Sequence, residues 1–257
     1  MNVIAIVFFY LVLQMSFVWI VYRLLKNPSV VDASWSIGLM MSGLIYLESM
    51  PKTPRTTVAS ALLILWALRL AGYLWYTRIH QGHLDKRYTE LSNNWKINQS
   101  LGFFLNFQLQ GLLIFIISFV FYLISNSNSA TLTLTDRIAI GMVIVGIIGE
   151  TVADLQLYRF KIGHKGSVCD IGLWNYSRHP NYFFDWLTWL GFTLFAFQSH
   201  KGYFGIVSPL VLYLIFTQIT GPLTERGSVQ SRGQTYIDYQ KQTSMFFPWF
   251  KRKIDSE

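Results

Sequence analysis

Unbroken apolar runs of helical length, separated by short polar stretches, set the pattern of this chain from one end to the other. They cover approximately residues 3–24, 30–49, 56–77, 102–125, 137–158, 181–199 and 203–222. About 20 apolar residues in a helix cross a hydrocarbon core roughly 30 Å thick. A helix satisfies its own backbone hydrogen bonds there, which an isolated strand cannot do. The pattern therefore predicts an all-α polytopic membrane protein, a bundle of about seven transmembrane helices. The second run is the most interrupted, with Asp32 and Ser36 inside it and Glu48 at its end. The first lacks a basic leader and a small-residue cleavage site, and is read as a retained anchor.

Polar connections differ on the two sides. Those at 51–55, 125–135 and 200–202 are short, whereas 78–101, 159–180 and the tail after 221 are long. Fourteen of the 21 Lys and Arg residues fall in or beside the long set, among them Arg78, Arg87, Arg159, Lys161, Lys165, Arg178 and Lys253, and Arg23 and Lys26 after the first run bring that side to sixteen. The short set holds Lys52, Arg55, Arg137 and Lys201, and Arg69 lies within a run. Under the positive-inside rule this predicts an outside N-terminus and a cytoplasmic C-terminus. The net charge of +8 is then a topological signature, and no basic soluble module calls for nucleic acid. The single cysteine, Cys169, excludes an internal disulfide framework and thiolate metal clusters, and no metal is expected. With no linker or repeat, residues 1–257 read as a single integral membrane domain.

Candidate chemistry gathers in the second half. Glu150 and Asp154 are four apart, hence on one helix face, with Tyr158 following. Either they serve a ligand or they are a solvated, ion-paired helix end. The loop Gly163-His-Lys-Gly166 through Gly172 has glycines around Lys165 that would let backbone amides approach phosphate, but it lacks a Walker or Rossmann spacing. Ser177-Arg178-His179-Pro180-Asn181-Tyr182 then opens a helix. Pro suits its first turn, the free amides there favour an anion, and Arg can grip phosphate in bidentate fashion. Asn181 and Asp185 again share a face. The bland alternative has Arg178 and His179 anchoring at headgroup level. In the tail, which begins Gly221-Pro-Leu-Thr-Glu225-Arg226, the spacing of Arg232, Tyr236 and Tyr239 suggests a short amphipathic helix over the cytoplasmic mouth, and Phe246, Phe247 and Trp249 an interfacial anchor. Of the ionisable groups within the runs, Asp32 or Glu48 is expected either to pair with Arg69 or to line a cavity. Asn106, Gln108 and Gln110 are expected to bond between helices.

The segments VVDASW (30–35), LWALRLAGYL (65–74), GETVADLQLYRFK (149–161), GLWNYSRHPNYFFDWLTWLGF (172–192) and the TERG…FFPW tail (224–249) resemble the DUF1295 proteins. Those group with the steroid 5-alpha-reductases, in a superfamily that also holds isoprenylcysteine carboxyl methyltransferases and sterol C14 reductases. The resemblance implies a membrane-embedded enzyme that uses NADPH to reduce the carbon–carbon double bond of an enone lipid, a 3-oxo-steroid or isoprenoid-like substrate. Its cofactor-binding part would lie at about 102–257. By the resemblance, Asp154 matches an acidic cofactor contact, Asn181 and Asp185 match an Asn and a Glu opening the sixth helix, and Tyr176 matches a Tyr before it. Lys161 stands where the reductases have Arg, and Glu150 where they have Asn. Glu48, shifted by one position, lies on a catalytic Gln-Glu pair. Trp66 stands where the relatives have a catalytic Tyr, and Tyr73 is the candidate to replace it.

Together these readings predict that Arg87, Lys161, Lys165 and Arg178 neutralise cofactor phosphates. Glu150, Asp154, Tyr176, His179, Asn181, Asp185 and Tyr239 would hold the rest of the cofactor. Glu48, Tyr73 or Asp32 would act as the catalytic donor to the enolate, a carboxylic acid there being kept protonated by desolvation. The rivals are an S-adenosylmethionine-dependent methyltransferase, whose relatives share an R-H-P-x-Y helix entry, and a non-enzymatic transporter or lipid-binding scaffold. The expected partners are a lipid-like small molecule and membrane lipids, in a monomer of a bacterial inner membrane.

Overall fold

The computed structural model describes residues 2–82, 86–93, 95–127 and 131–252. Lys253 and parts of the 78–101 and 125–135 connections lie outside them. All regular structure among the described residues is helical. The helices are α1 (Val3–Leu25), α2 (Val30–Leu47), α3 (Pro54–Leu74), α4 (Lys86–Asn93), α5 (Gln99–Ser125), α6 (Leu134–Gly163), α7 (Pro180–Ala196), α8 (Val207–Leu214), α9 (Gly221–Arg232) and α10 (Gln234–Gln242). Helices α3 and α8 each run on through one widened turn, Trp75–His80 and Ile215–Thr220. Six helices are long and apolar enough to cross a membrane, which makes this a multi-pass integral membrane protein. The expected span at 181–199 is the 17-residue α7, slightly too short to join them. It stops because the chain turns at 196–202, where Ser199 N–H bonds the Ala196 carbonyl and Gly202 N–H that of Ser199.

The chain divides into two compact units, each assembled from two stretches of sequence. The first comprises 1–140 and 192–208. There α2 packs against α1, α3 and α5. Gly43 allows the closest approach, since a Cβ on it would lie 2.5 Å from Leu63 and 2.8 Å from Phe121. Polar groups glue neighbouring helices. Gln14 donates to the Ser34 carbonyl and hydroxyl at 3.0 and 2.9 Å, and Gln108 to Ser16 at 3.1 Å, as the sequence suggested for Gln108. Gln110 bonds Asn106 within α5 instead.

Two charged clusters hold this unit. Arg55 and Asp136 are fully buried and meet at 3.0 Å, while the remaining Arg55 nitrogens bond the Ser127 hydroxyl and the Phe195 carbonyl. Removing one partner of such a pair typically costs about 3–5 kcal/mol, because the other charge is left buried. The second cluster overturns the expected pairing with Arg69. Asp32 accepts instead from Arg78, from Arg87 at 3.4 Å and from Tyr88 at 2.8 Å, these groups being brought to it by the end of α3 and by α4. Burial, then the adjacent Asp32 charge, push the Tyr88 phenol well above its ordinary range.

The second unit comprises 141–191 and 209–257. Its frame is a tight α6–α7 contact. A Cβ on Gly146 would lie 2.8 Å from the Phe184 carbonyl and strike Thr188, and one on Gly149 would enter the Phe184 ring. Small residues at a helix interface let membrane helices approach backbone to backbone. Trp186 adds a bond to the Pro209 carbonyl at 3.0 Å.

Candidate functional site

The α6–α7 contact fixes an antiparallel register. Gly146 lies level with Thr188, Gly149 with Phe184, and Asp154 with Asn181, whose amide donates to it at 3.2 Å. Glu150 lies one turn before Asp154 and Asp185 one turn after Asn181, so in this antiparallel register the two i,i+4 pairs read from sequence lie level with each other. Glu150, Asp154 and Asp185 are all buried. The amide oxygen of Asn181 is buried and has no hydrogen-bond partner among the described residues. Three carboxylates and an amide within about one helical turn make a patch of acceptors. It suits hydroxyls, amide N–H groups and positive charge.

The 164–179 loop docks beside that patch. Gly172 adopts a left-handed φ of 58°, and a Cβ there would lie 2.5 Å from the Gln156 side chain. Gln156 in turn accepts from Leu173 N–H at 3.0 Å, and Trp174 donates its ring N–H to the Ala153 carbonyl at 2.9 Å. The loop is thus bound directly to the turn of α6 that carries Asp154.

Arg178 and His179 meet the tail. Arg178 grips Glu225 in bidentate fashion at 2.7 and 3.1 Å, and its third nitrogen donates to the carbonyls of Gln240 and Thr243 at 2.9 and 2.5 Å. The His179 Nε2 lies 3.0 Å from Glu225, and the Gln240 amide donates to the same carboxylate at 2.6 Å. Four contacts fill the acceptor positions of Glu225. The backbone follows suit: Arg178 N–H donates to the Ser244 carbonyl, Trp249 N–H to that of Tyr176, and the Ser177 hydroxyl to that of Phe246. Tyr239 donates to the Trp174 carbonyl. Its phenol is held far above the ordinary range, chiefly by burial and then by neighbouring Tyr236. His179 stacks on Tyr182 at 5.0 Å, and Tyr182 on Phe216 at 4.7 Å.

The predicted residues therefore sort into groups. Glu150, Asp154, Asn181 and Asp185 come together, while Arg178, His179 and Tyr239 bind the tail. Lys161 and Lys165 are exposed near the end of α6, and Tyr176 is exposed beside Phe250. Arg87 belongs to the Asp32 cluster. Tyr73 is half-buried on α3. Glu48 departs from the desolvated acid that was expected: its side chain is half exposed and pairs with Lys52 at 3.1 Å. Phe246 is also corrected, from interfacial anchor to core. It is buried and packs edge-on against Phe183, Trp186 and Tyr213.

A family model described as a protein of unknown function, DUF1295, matches residues 18–243. The chain belongs to the DUF1295 family. No curated protein and no solved structure matches it. In this DUF1295 chain the matched stretch holds every residue singled out above for the site and stops just before the Ser244–Trp249 strap. Sequence reasoning missed the roles of Glu225, Gln240, Ser177 and Trp174. A signal existed for Glu225, a lone acid just beyond an apolar run, followed by glycine and polar residues. The Gln240 and Ser177 contacts carry no signal in spacing, because Gln240 reaches Glu225 across 15 residues and two helices, and Ser177 reaches a backbone carbonyl 69 residues away.

Proposed function

We propose that this DUF1295 protein is a membrane-embedded, NADPH-dependent reductase of the carbon–carbon double bond of an enone lipid, similar to the steroid 5-alpha-reductases and acting on a 3-oxo-steroid or isoprenoid-like substrate. The observation that carries the reading is the facing pair Asp154–Asn181, with Glu150 and Asp185 one turn further in. The chemistry of these donors and acceptors fits the cofactor's uncharged end. The Asn181 amide oxygen can accept from a carboxamide N–H, and Asp154 from ribose hydroxyls. When bound, NADPH supplies a hydride and is left with a positively charged ring. Buried Glu150 and Asp185 favour positive charge, the electrostatic preorganisation expected of a hydride-transfer site. The exposed Lys161 and Lys165 are the cations of this unit proposed to meet phosphate, since the Arg178 guanidinium is taken up by the tail.

The same engagement of Arg178 favours one rival. With the Arg178 guanidinium taken up by the tail, the acidic side chains Glu150, Asp154 and Asp185 also suit the ammonium group of S-adenosylmethionine. The reductase reading predicts that protein in lipid nanodiscs oxidises NADPH when an enone lipid is added, and that Asn181→Ala and Asp185→Ala slow this at least about tenfold, roughly 1.4 kcal/mol. Methyl transfer from S-adenosylmethionine with no NADPH oxidation across a panel of enones would contradict it.

A further inference from the structure

Beyond the catalytic reading, the tail and the 164–179 loop share an apolar surface that the fold of the second unit does not cover. Trp249 and Phe250 are 69% and 74% exposed, and Tyr176 and Ile171 on the loop are exposed too. Tyr176 and Phe250 pack edge-on at 6.0 Å, and Trp249 and Phe250 at 6.4 Å, so these rings form one cluster. The cluster is held in place. Trp249 N–H bonds the Tyr176 carbonyl at 2.9 Å, Arg252 N–H the Gln242 carbonyl at 2.9 Å, and Lys251 pairs with Asp170 at 3.0 Å. Exposed aromatics on lipid-facing helices need no explanation, but these sit on a loop and a strap.

Their level along the molecule identifies the occupant. Tyr176 lies four residues before Pro180, where the apolar α7 begins. Phe247, two residues before Trp249, touches Phe183 and Trp186 in the first two turns of α7. The cluster therefore lies at the mouth of an apolar helix, the depth at which Trp and Tyr are enriched in membrane proteins. Exposed basic residues of the same unit accompany it: Arg252 follows on the strap and Arg226 lies on α9. Anionic headgroups complement that charge.

We propose that Ile171, Tyr176, Trp249 and Phe250 form a docking face for the headgroup–acyl boundary of an anionic bilayer, which holds the strap against the entry to α7. The test uses the full chain with Cys169→Ser, in nanodiscs of anionic or zwitterionic lipid. Trp249→Cys and Phe250→Cys, made separately so that each keeps the other ring, carry an environment-sensitive fluorophore. The proposal predicts blue-shifted emission at both sites, quenched more by lipids brominated near the headgroup than near the chain end, and more strongly so in anionic discs. Water-like emission without quenching at both sites would overturn it. So would a blue shift insensitive to brominated lipid that appears only with two protein copies per disc, which would assign the face to a second chain.

Discussion

Arg178 directs its guanidinium to Glu225, Gln240 and Thr243 and its amide to Ser244, so each of its polar groups closes the tail onto the start of α7. The residue type was legible as a gripping cation; the identity of what it grips was not, because bidentate geometry fits a carboxylate as well as a phosphate. Breaking a partly buried network of this kind from one side leaves the other charge unpaired. Glu225→Ala should therefore destabilise the folded protein by about 3 kcal/mol or more, read as a lowered thermal midpoint in nanodiscs. Glu225→Gln, which keeps the shape and part of the hydrogen bonding, should lose clearly less. Equal losses from the two variants would show that charge pairing is not what holds the tail.

At the scale of elements, apolar runs located the first five long helices to within about five residues, because length and composition decide whether a segment satisfies its backbone in lipid, whereas the helix from Gly202 runs on ten residues past the last apolar run to Arg232. The spacing of Glu150 with Asp154, and of Asn181 with Asp185, was readable for the same reason: one helical period puts each pair on one face. That the two faces meet depends on Gly146 and Gly149, and a glycine in an apolar run does not announce its neighbour. Gly146→Val should cost about 1–3 kcal/mol through overpacking against the Phe184 backbone and Thr188, whereas Gly141→Val, at a position where a Cβ meets open space, should cost little. Thermal unfolding of the two variants side by side checks this. The strap brings a pH dependence. The Tyr239 phenol is held above its unfolded value of about 10, so its contribution is intact below pH 10 and declines as pH rises beyond it. Limited proteolysis should accordingly release the tail faster at pH 11 than at pH 9. Tyr239→Phe should lessen that difference, and an unchanged difference would assign the alkaline effect elsewhere.

For the whole molecule, the sequence reads as one integral domain, yet the chain packs as two units that each draw on two separated stretches. Such interleaving leaves no mark in composition, because α6 and α7 are continuous helices with no polar linker at the division. The Arg55 cluster was equally hidden: Arg55 and Asp136 each stand beside a short polar connection and look solvated in sequence, but close fully on one another in space. What the sequence did convey at this scale was class and chemistry, a polytopic helical protein with acids and an amide directed to one place in its second half. The central claim, that this place holds a nicotinamide nucleotide, is tested most directly by equilibrium titration of the purified protein with NADPH and, in parallel, with S-adenosylmethionine. Saturable NADPH binding that weakens about tenfold or more in Asn181→Ala, with unaltered thermal stability, is the predicted result. Binding of S-adenosylmethionine alone, or NADPH binding indifferent to Asn181 and Asp185, would contradict it.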